Sequence, residues 1–231
     1  MLVASALAQG LSVSGRSNGK TASVTLTPAQ VPVIFPVVAG APYSGREHTE
    51  SAARAGDSDT TTYRDSRGRV RTERRVFPSV AFRLVEVSDP VANCLYVFDS
   101  VNRVAHRLPL LPNTSTRITP PTEPMRTLPD GTTVASEPLG TKTISGVTVT
   151  GTKVTSVHPA GSRAGTTTAE IWRSPELGLV VYATNSSSSG SVSTQTIQDL
   201  STKEPDPSLF QVPAGYRVVE ETGAFTISLA L

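Results

Sequence analysis

The residues best equipped for chemistry are scattered along the chain. His48, His106 and His158 are far apart, with no HxH or HExxH around any of them, so a metal centre would have to be assembled from distant strands. Glu47, Glu50, Glu73, Glu86 and Asp89 could in principle share a proton, but nothing in their spacing singles out a general acid/base pair. The sequence contains no G-x-S-x-G, no GxGxxG and no GxxxxGK[ST], and its glycines fall between extended runs rather than ahead of helices. Cys94 is the single cysteine, which excludes an intrachain disulfide framework and a CxxC site; its setting in "ANCLYVFD" predicts burial. These absences point to a non-enzymatic protein without cofactor or metal.

The densest cluster of charge is "TTYRDSRGRVRTERRVF", residues 61–77. Arginines can grip phosphate bidentately, so Arg69, Arg71, Arg74 and Arg75 are candidates for contact with an anion or a partner. Nucleic acid is a poor fit, because only Tyr63 and Phe77 flank the arginines and no aromatic row exists for base stacking. The formal charge of +2 and pI near 8.8 also fall short of what a polyanion binder needs. The alternative is a solvated strand face on which arginine discourages edge pairing. Alternation puts Arg69, Arg71, Glu73 and Arg75 on one side of the returning strand, with Val70, Thr72, Arg74 and Val76 on the other. Arg74 therefore sits beside the apolar side.

The elements that must position these groups are short strands. Only 5% of residues are aromatic and 37% are hydrophobic, while β-branched residues alternate with turn formers. "DSRG" predicts a turn with Asp65 first and Gly68 last, and Asp99-Ser100-Val101-Asn102 predicts another between "CLYVF" and "RVAHRL". "EIWRSPELGLVVYATN" reads as strand, tight connection and strand, and Pro207-Ser208-Leu209-Phe210 as one helical turn capped by Asp206. The fold expected is mainly β: a large curved antiparallel meander or an unclosed β-barrel with little helix.

Residues 1–8 look like the remnant of an export signal, with Ala6-Leu7-Ala8 fitting the small-x-small cleavage rule. Residues 9–42, including "VPVIFPVV", read as an extended arm or edge strand, because Pro32 and Pro36 would each remove a ladder donor. A single β domain is expected over 43–220, interrupted by a Pro-rich loop at 109–138 and followed by a tail at 221–231. No stretch is apolar enough to predict a transmembrane segment.

"PYSGREHTE", "YRDSRGRVRTERR", "VSDPVANCLYVFD", "LGTKTISGVTVTGTK", "EIWRSPELGLVVYA" and "EPDPSLFQVPAGYRVVE" together resemble an uncharacterised family of exported proteins of acidobacteria and related soil bacteria. This resemblance implies export and assigns no activity. The succession from Trp172 to Pro213, a tryptophan-bearing strand, short turn, two strands and a terminal Phe-x-x-Pro, also resembles the periplasmic lipoprotein carriers and outer-membrane lipoprotein-sorting-like proteins. That likeness implies an unclosed barrel around an apolar cavity. Those proteins plug the barrel with helices. Here no amphipathic helix is evident, which leaves the N-terminal arm or the Pro-rich loop to cover the cavity.

The expectation is therefore an exported, periplasmic or cell-envelope protein that binds an acyl chain, lipoprotein or other apolar ligand on the concave face of its sheet. Leu84, Tyr96, Phe98, Val104, Leu108, Trp172, Leu179, Val181 and Ile197 are the residues expected to line that face or to close a filled core. The alternative is a structural or interaction module that presents the arginines and the arm to an envelope partner.

Overall fold

The computed structural model describes residues 11–17, 21–28, 37–51, 58–75, 83–110, 125–159, 161 and 165–230. The architecture is mainly β, an unclosed mixed sheet rather than a barrel, as expected. The chain divides into two compact units, the first over 1–46, 59–114 and 201–231, the second over 47–58 and 115–200. β3 (Tyr43–Ser51) runs from the first into the second.

In the first unit the strands β4 (Ser58–Arg64), β5 (Val70–Arg75), β6 (Arg83–Asp89), β7 (Cys94–Asp99) and β8 (Val104–Pro109) form an antiparallel meander. Both expected turns are present. Asp65 starts the first, where its backbone carbonyl accepts from Gly68 N at 3.0 Å and its carboxylate accepts from Arg67 N and Arg69 N. Gly68 has φ +81, and a β-carbon there would fall 2.9 Å from Val37 Cγ1, so conformation and space both call for glycine. Asp99 serves the second turn in the same way, accepting from Val101 N and Asn102 N.

Each face of this meander is covered by chain from elsewhere in the same unit. A separate sheet of β1 (Leu11–Ser17), β2 (Thr21–Pro28) and β16 (Phe225–Ala230) lays Val24, Leu26, Phe225, Ile227 and Leu229 against Leu84, Leu95, Val97 and Leu108. Fully burying an aliphatic side chain is worth about 1.5–3 kcal/mol, so the β16 residues alone give this cover a substantial hold. Asp99 adds a polar tether, its Oδ2 accepting from Ser228 N at 3.0 Å.

On the opposite face Val87, Phe98 and Ala105 pack against Phe210, with Tyr96, Leu209, Val212 and Tyr216 around them. Phe210 belongs to a 3-10 turn, η1 (Pro207–Phe210), that follows the expected cap: Asp206 accepts from Ser208 N at 2.8 Å. Burial on both faces explains why β7 reads as a nearly continuous apolar run. Cys94 is buried, as its setting predicts. Segment 217–220 is extended, forming β15 (Arg217–Glu220) parallel to β8, and 225–230, read as tail, is strand β16.

The second unit is built on β9 (Met125–Thr127), β10 (Thr133–Ile144), β11 (Val147–His158), β12 (Gly165–Ser174), β13 (Leu179–Ser187) and β14 (Val192–Ser201), antiparallel and paired in chain order. β9 and the start of β10 lie inside the span read as a Pro-rich loop; residues 111–124 of that span are outside the described residues, as are 31–36 of "VPVIFPVV". Two irregularities interrupt the ladders. One lies between Pro138 and Gly140 in β10; the other, between Trp172 and Arg173 on β12, leaves Val181 as the extra residue on β13.

Candidate ligand face and arginine hairpin

Because directly paired residues of neighbouring strands share a side of the sheet, the registers sort every side chain of the second unit onto one of two faces. Gly140, Gly151, Trp172, Tyr182 and Thr196 form one cross-strand row and define the first face. It carries the charges: Glu137 pairs with Lys153 and Lys153 with Glu170 across the strands, and Lys142 Nζ lies 3.5 Å from the centroid of the Trp172 ring. Trp172 Nε1 donates to the Glu170 carboxylate. The indole covers Gly151, where a β-carbon would stand 2.7 Å from ring atoms. The tryptophan is therefore a buried structural residue, only 5% exposed.

The second face is chemically different. Thr152, Ile171 and Ala183 share one row with Gln195; Val154, Ala169 and Asn185 share the next with Ser193. Thr150, Arg173 and Val180 form a third row, and Ile197 follows Gln195 by alternation. From Thr150 to Ser156 on β11, Thr167 to Arg173 on β12, Val180 to Ser187 on β13 and Ser193 to Ile197 on β14, this face bears no carboxylate; Arg173 lies on it, and Arg126 of β9, in register with Val134 and through it with Ser156, takes the same side. Ile197 and Ala183 are buried; Val154, Ala169, Ile171 and Val180 are half-buried.

The residues singled out from sequence are thus distributed over several surfaces. Leu84 and Leu108 lie in the cluster beneath β2 and β16, and Val104, in register with Asp99, takes the same side. Tyr96 and Phe98 lie on the opposite side with η1. Trp172 and Leu179 belong to the first face of the second unit, Ile197 to the second, and Val181 occupies the bulge. Val154, Ala169, Ile171, Val180, Ala183 and Arg173 were not singled out. Their signal was the alternation of small or aliphatic residues with charged or aromatic ones in "TKVTS" and "AEIWR", which abundant threonine obscures.

The arginine hairpin is knitted into the first unit. Arg69 Nε donates to Asp65 at 2.7 Å, with its guanidinium 5.0 Å from the Phe210 ring centroid. Arg71 donates to Glu73 at 2.8 Å and to the Leu209 carbonyl at 3.1 Å, joining β5 to η1. Arg74 donates to Glu86, a carboxylate whose side chain is only 3% exposed. Arg75 is exposed and in register with Arg83. Arg64, the buried arginine of the motif, donates to the Ala41 carbonyl and covers the Tyr43 ring.

Glu86 belongs to a polar row crossing the meander. Thr62, Thr72, Glu86, Val97 and His106 are successive register partners, so they share the side that β2 and β16 cover. His106 pairs with Glu221 at 2.7 Å and stacks on Phe225 with centroids 4.6 Å apart. Among the described residues Thr62 Oγ1, Glu86 Oε1 and His106 Nε2 are buried without a hydrogen-bond partner. Among the described residues no group of histidine, cysteine and carboxylates is arranged to hold a metal ion, and no helix is long and apolar enough to cross a membrane.

No family model matches the chain, and no curated protein matches it. Among solved structures it is similar to a chain of the Pseudomonas aeruginosa MucA/MucB complex, at 13% identity and TM-score 0.40, covering 77% of this chain and 58% of that one. MucB in complex with MucA gives the same TM-score of 0.40 at 14% identity, covering 78% of this chain and 57% of the other, so the chain spans well under two thirds of either. The Mycobacterium tuberculosis lipoprotein LppX matches at 14% identity and TM-score 0.32, covering 71% and 88%, and a LolA superfamily protein from Nitrosomonas europaea at 11% and 0.30, covering 77% and 91%. At such low identity and TM-score these likenesses transfer no ligand or partner to this chain.

Proposed function

We propose that the protein is an exported cell-envelope protein that binds a single apolar chain, of the acyl type, on the face of the second unit that bears Val154, Ala169 and Ile171. The observation that carries this reading is the segregation of glutamate and lysine by register: Glu137, Lys142, Lys153 and Glu170 all fall on one side of β10–β12, while Val154, Ala169, Ile171, Val180, Ala183 and Ile197 share the other. Half-buried aliphatic residues with threonine between them suit a flexible chain that needs contact and exclusion of water rather than directional bonds. The first unit supports the reading by contrast. Its apolar residues are already packed against β2, β16 and η1, so its faces are occupied by the chain itself.

Native mass spectrometry of the protein purified from its own envelope, followed by lipid extraction, tests the proposal. Co-purifying acyl species are expected. A clean apo mass, together with failure to bind added dodecanoate or its methyl ester, would overturn carriage in favour of a structural or interaction module.

A further inference from the structure

We propose that Thr167 and His158 form an acyl-transfer site that hydrolyses an ester at the end of the acyl chain held on this face. This rests on the apolar-face reading above and adds a reaction to it. Four groups meet at one end of the second unit. Asp130 lies in the turn between β9 and β10, which Gly131 N closes by donating to the Leu128 carbonyl at 2.9 Å. Thr132 ends that turn and is only 3% exposed. His158 is the last residue of β11, in register with Gly165, and Thr167 stands two residues further along β12 with its side chain exposed. Thr133 pairs with Val157, which brings Thr132 beside His158.

The direction of the hydrogen bonds follows from the carboxylate, which when ionised only accepts. Asp130 accepts from Thr132 N at 2.9 Å. That bond, and after it one from the Thr132 hydroxyl, hold the Asp130 carboxyl below its ordinary range. With its proton turned to Asp130, Thr132 Oγ1 offers a lone pair to His158 Nδ1 at 3.3 Å, so Nδ1 carries the hydrogen. Nε2 is then the unprotonated nitrogen, and it faces Thr167 Oγ1 at 3.5 Å. Exposed hydroxyl, imidazole base, orienting hydroxyl and carboxylate follow in order, the arrangement that activates a weak nucleophile. Long contacts between nucleophile and base are common before substrate closes the site.

The substrate class follows from what lies beside the hydroxyl. Thr167, Ala169 and Ile171 alternate on one side of β12 at steps of about 7 Å, and Val154, paired with Ala169, joins them from β11. A chain lying on Ile171 and Ala169 has its carbonyl next in line, at Thr167. There Thr167 Oγ1 bonds to the carbonyl carbon while His158 Nε2 takes the hydroxyl proton; the bond to the alcohol oxygen breaks, and the alcohol leaves with that proton. Water then attacks the acyl-threonine, giving a proton to Nε2, which returns it to Thr167 Oγ1 as the acid departs. The net change is ester and water to acid and alcohol. Thr132 and Asp130 touch no substrate and are positioning residues.

The test follows nitrophenolate release from para-nitrophenyl dodecanoate and para-nitrophenyl acetate by the full chain at pH 8, with peptide mapping of acid-quenched protein and calorimetric titration with dodecanoate. The unmodified protein should turn over the dodecanoyl ester faster than the acetyl ester and carry a dodecanoyl adduct on Thr167. H158A should slow release about a hundredfold, the scale of general-base catalysis. T167A should lose the adduct and T167S should keep it. T132V should lower kcat with KM unchanged, and T132S should restore it. Adduct mapping on the unmodified protein needs no variant, so it decides the matter even if H158A fails to fold. Dodecanoate binding without nitrophenolate release, or adducts on residues other than Thr167, would overturn the site while leaving the apolar face standing. Neither binding nor release would remove both. Thr167 adducts formed equally fast from the two esters would overturn the long-chain substrate.

Discussion

Replacing Gly151 with alanine should destabilise the second unit because of Trp172, and removing Trp172 should reverse the sign of that effect. The added β-carbon would lie 2.7–2.8 Å from three atoms of the indole ring, closer than real contacts come. The neighbour is the body of a large ring that Lys142 covers and whose Nε1 is bonded to Glu170, so it cannot simply swing away. Overpacking of this kind costs about 1–3 kcal/mol. Alanine in a strand recovers roughly 0.5–1 kcal/mol relative to glycine through backbone entropy, leaving a net loss centred on ~1 kcal/mol and at most about 2.5 kcal/mol. In a W172V background the clash is gone, and G151A should instead stabilise by roughly 0.5–1 kcal/mol. The four proteins of the cycle, unfolded in urea and followed by far-UV circular dichroism, give the coupling directly. A G151A variant that is neutral or stabilised with Trp172 in place would refute the argument that the indole occupies the space over Gly151.

The polar groups of the first unit give sharper contrasts. R74L should cost about 3–5 kcal/mol, because it leaves the nearly buried Glu86 carboxylate without its cation, whereas R75L at an exposed position should stay within about 0.5 kcal/mol; denaturant midpoints compare them. T62V removes a buried hydroxyl that has no partner among the described residues, so it should be neutral or raise the melting temperature, and a clear loss would mean that Oγ1 is bonded after all. Hydrogen bonds from Ser208 hold the Asp206 carboxyl below its ordinary value of 3.8. Its contribution is therefore complete above that pH and lost as pH falls through the lower folded-state value. The difference in melting temperature between D206A and the unmodified protein should accordingly be constant near neutrality and narrow below about pH 3.8.

Local structure was legible where a single residue type dictates it. Asp65 with Gly68, Asp99 with Asn102 and Asp206 ahead of Pro207 mark their turns because short carboxylates cap backbone donors and glycine accepts positive φ. The burial of Cys94 followed from its place in the apolar run "ANCLYVFD", and the shared side of Val104, His106 and Leu108 from alternation. What alternation could not tell is which cover each face meets. Leu95 and Phe98 read alike in "CLYVF", yet one packs against residues from β2 and β16 and the other against η1, all supplied from far along the chain.

The apolar face was hidden for a different reason. Residues are assigned to a face by counting in twos, and the extra residue at Val181 shifts that count between Leu179 and Tyr182, just as the irregularity at Pro138/Gly140 does in β10. Trp172, Leu179 and Ile197, grouped by hydrophobicity in the sequence, therefore end on different sides.

The central claim is that one face of the second unit's sheet, and not the other, receives an apolar chain. Photo-crosslinking with a diazirine-bearing fatty acid, followed by residue-level mapping of the adducts, tests it most directly. The account predicts labelling at alternate positions, on Val154, Ala169, Ile171 and Ala183 and not on the intervening Lys153, Glu170 and Tyr182. Adducts concentrated on Lys153, Glu170 and Tyr182, or confined to the first unit, would contradict it.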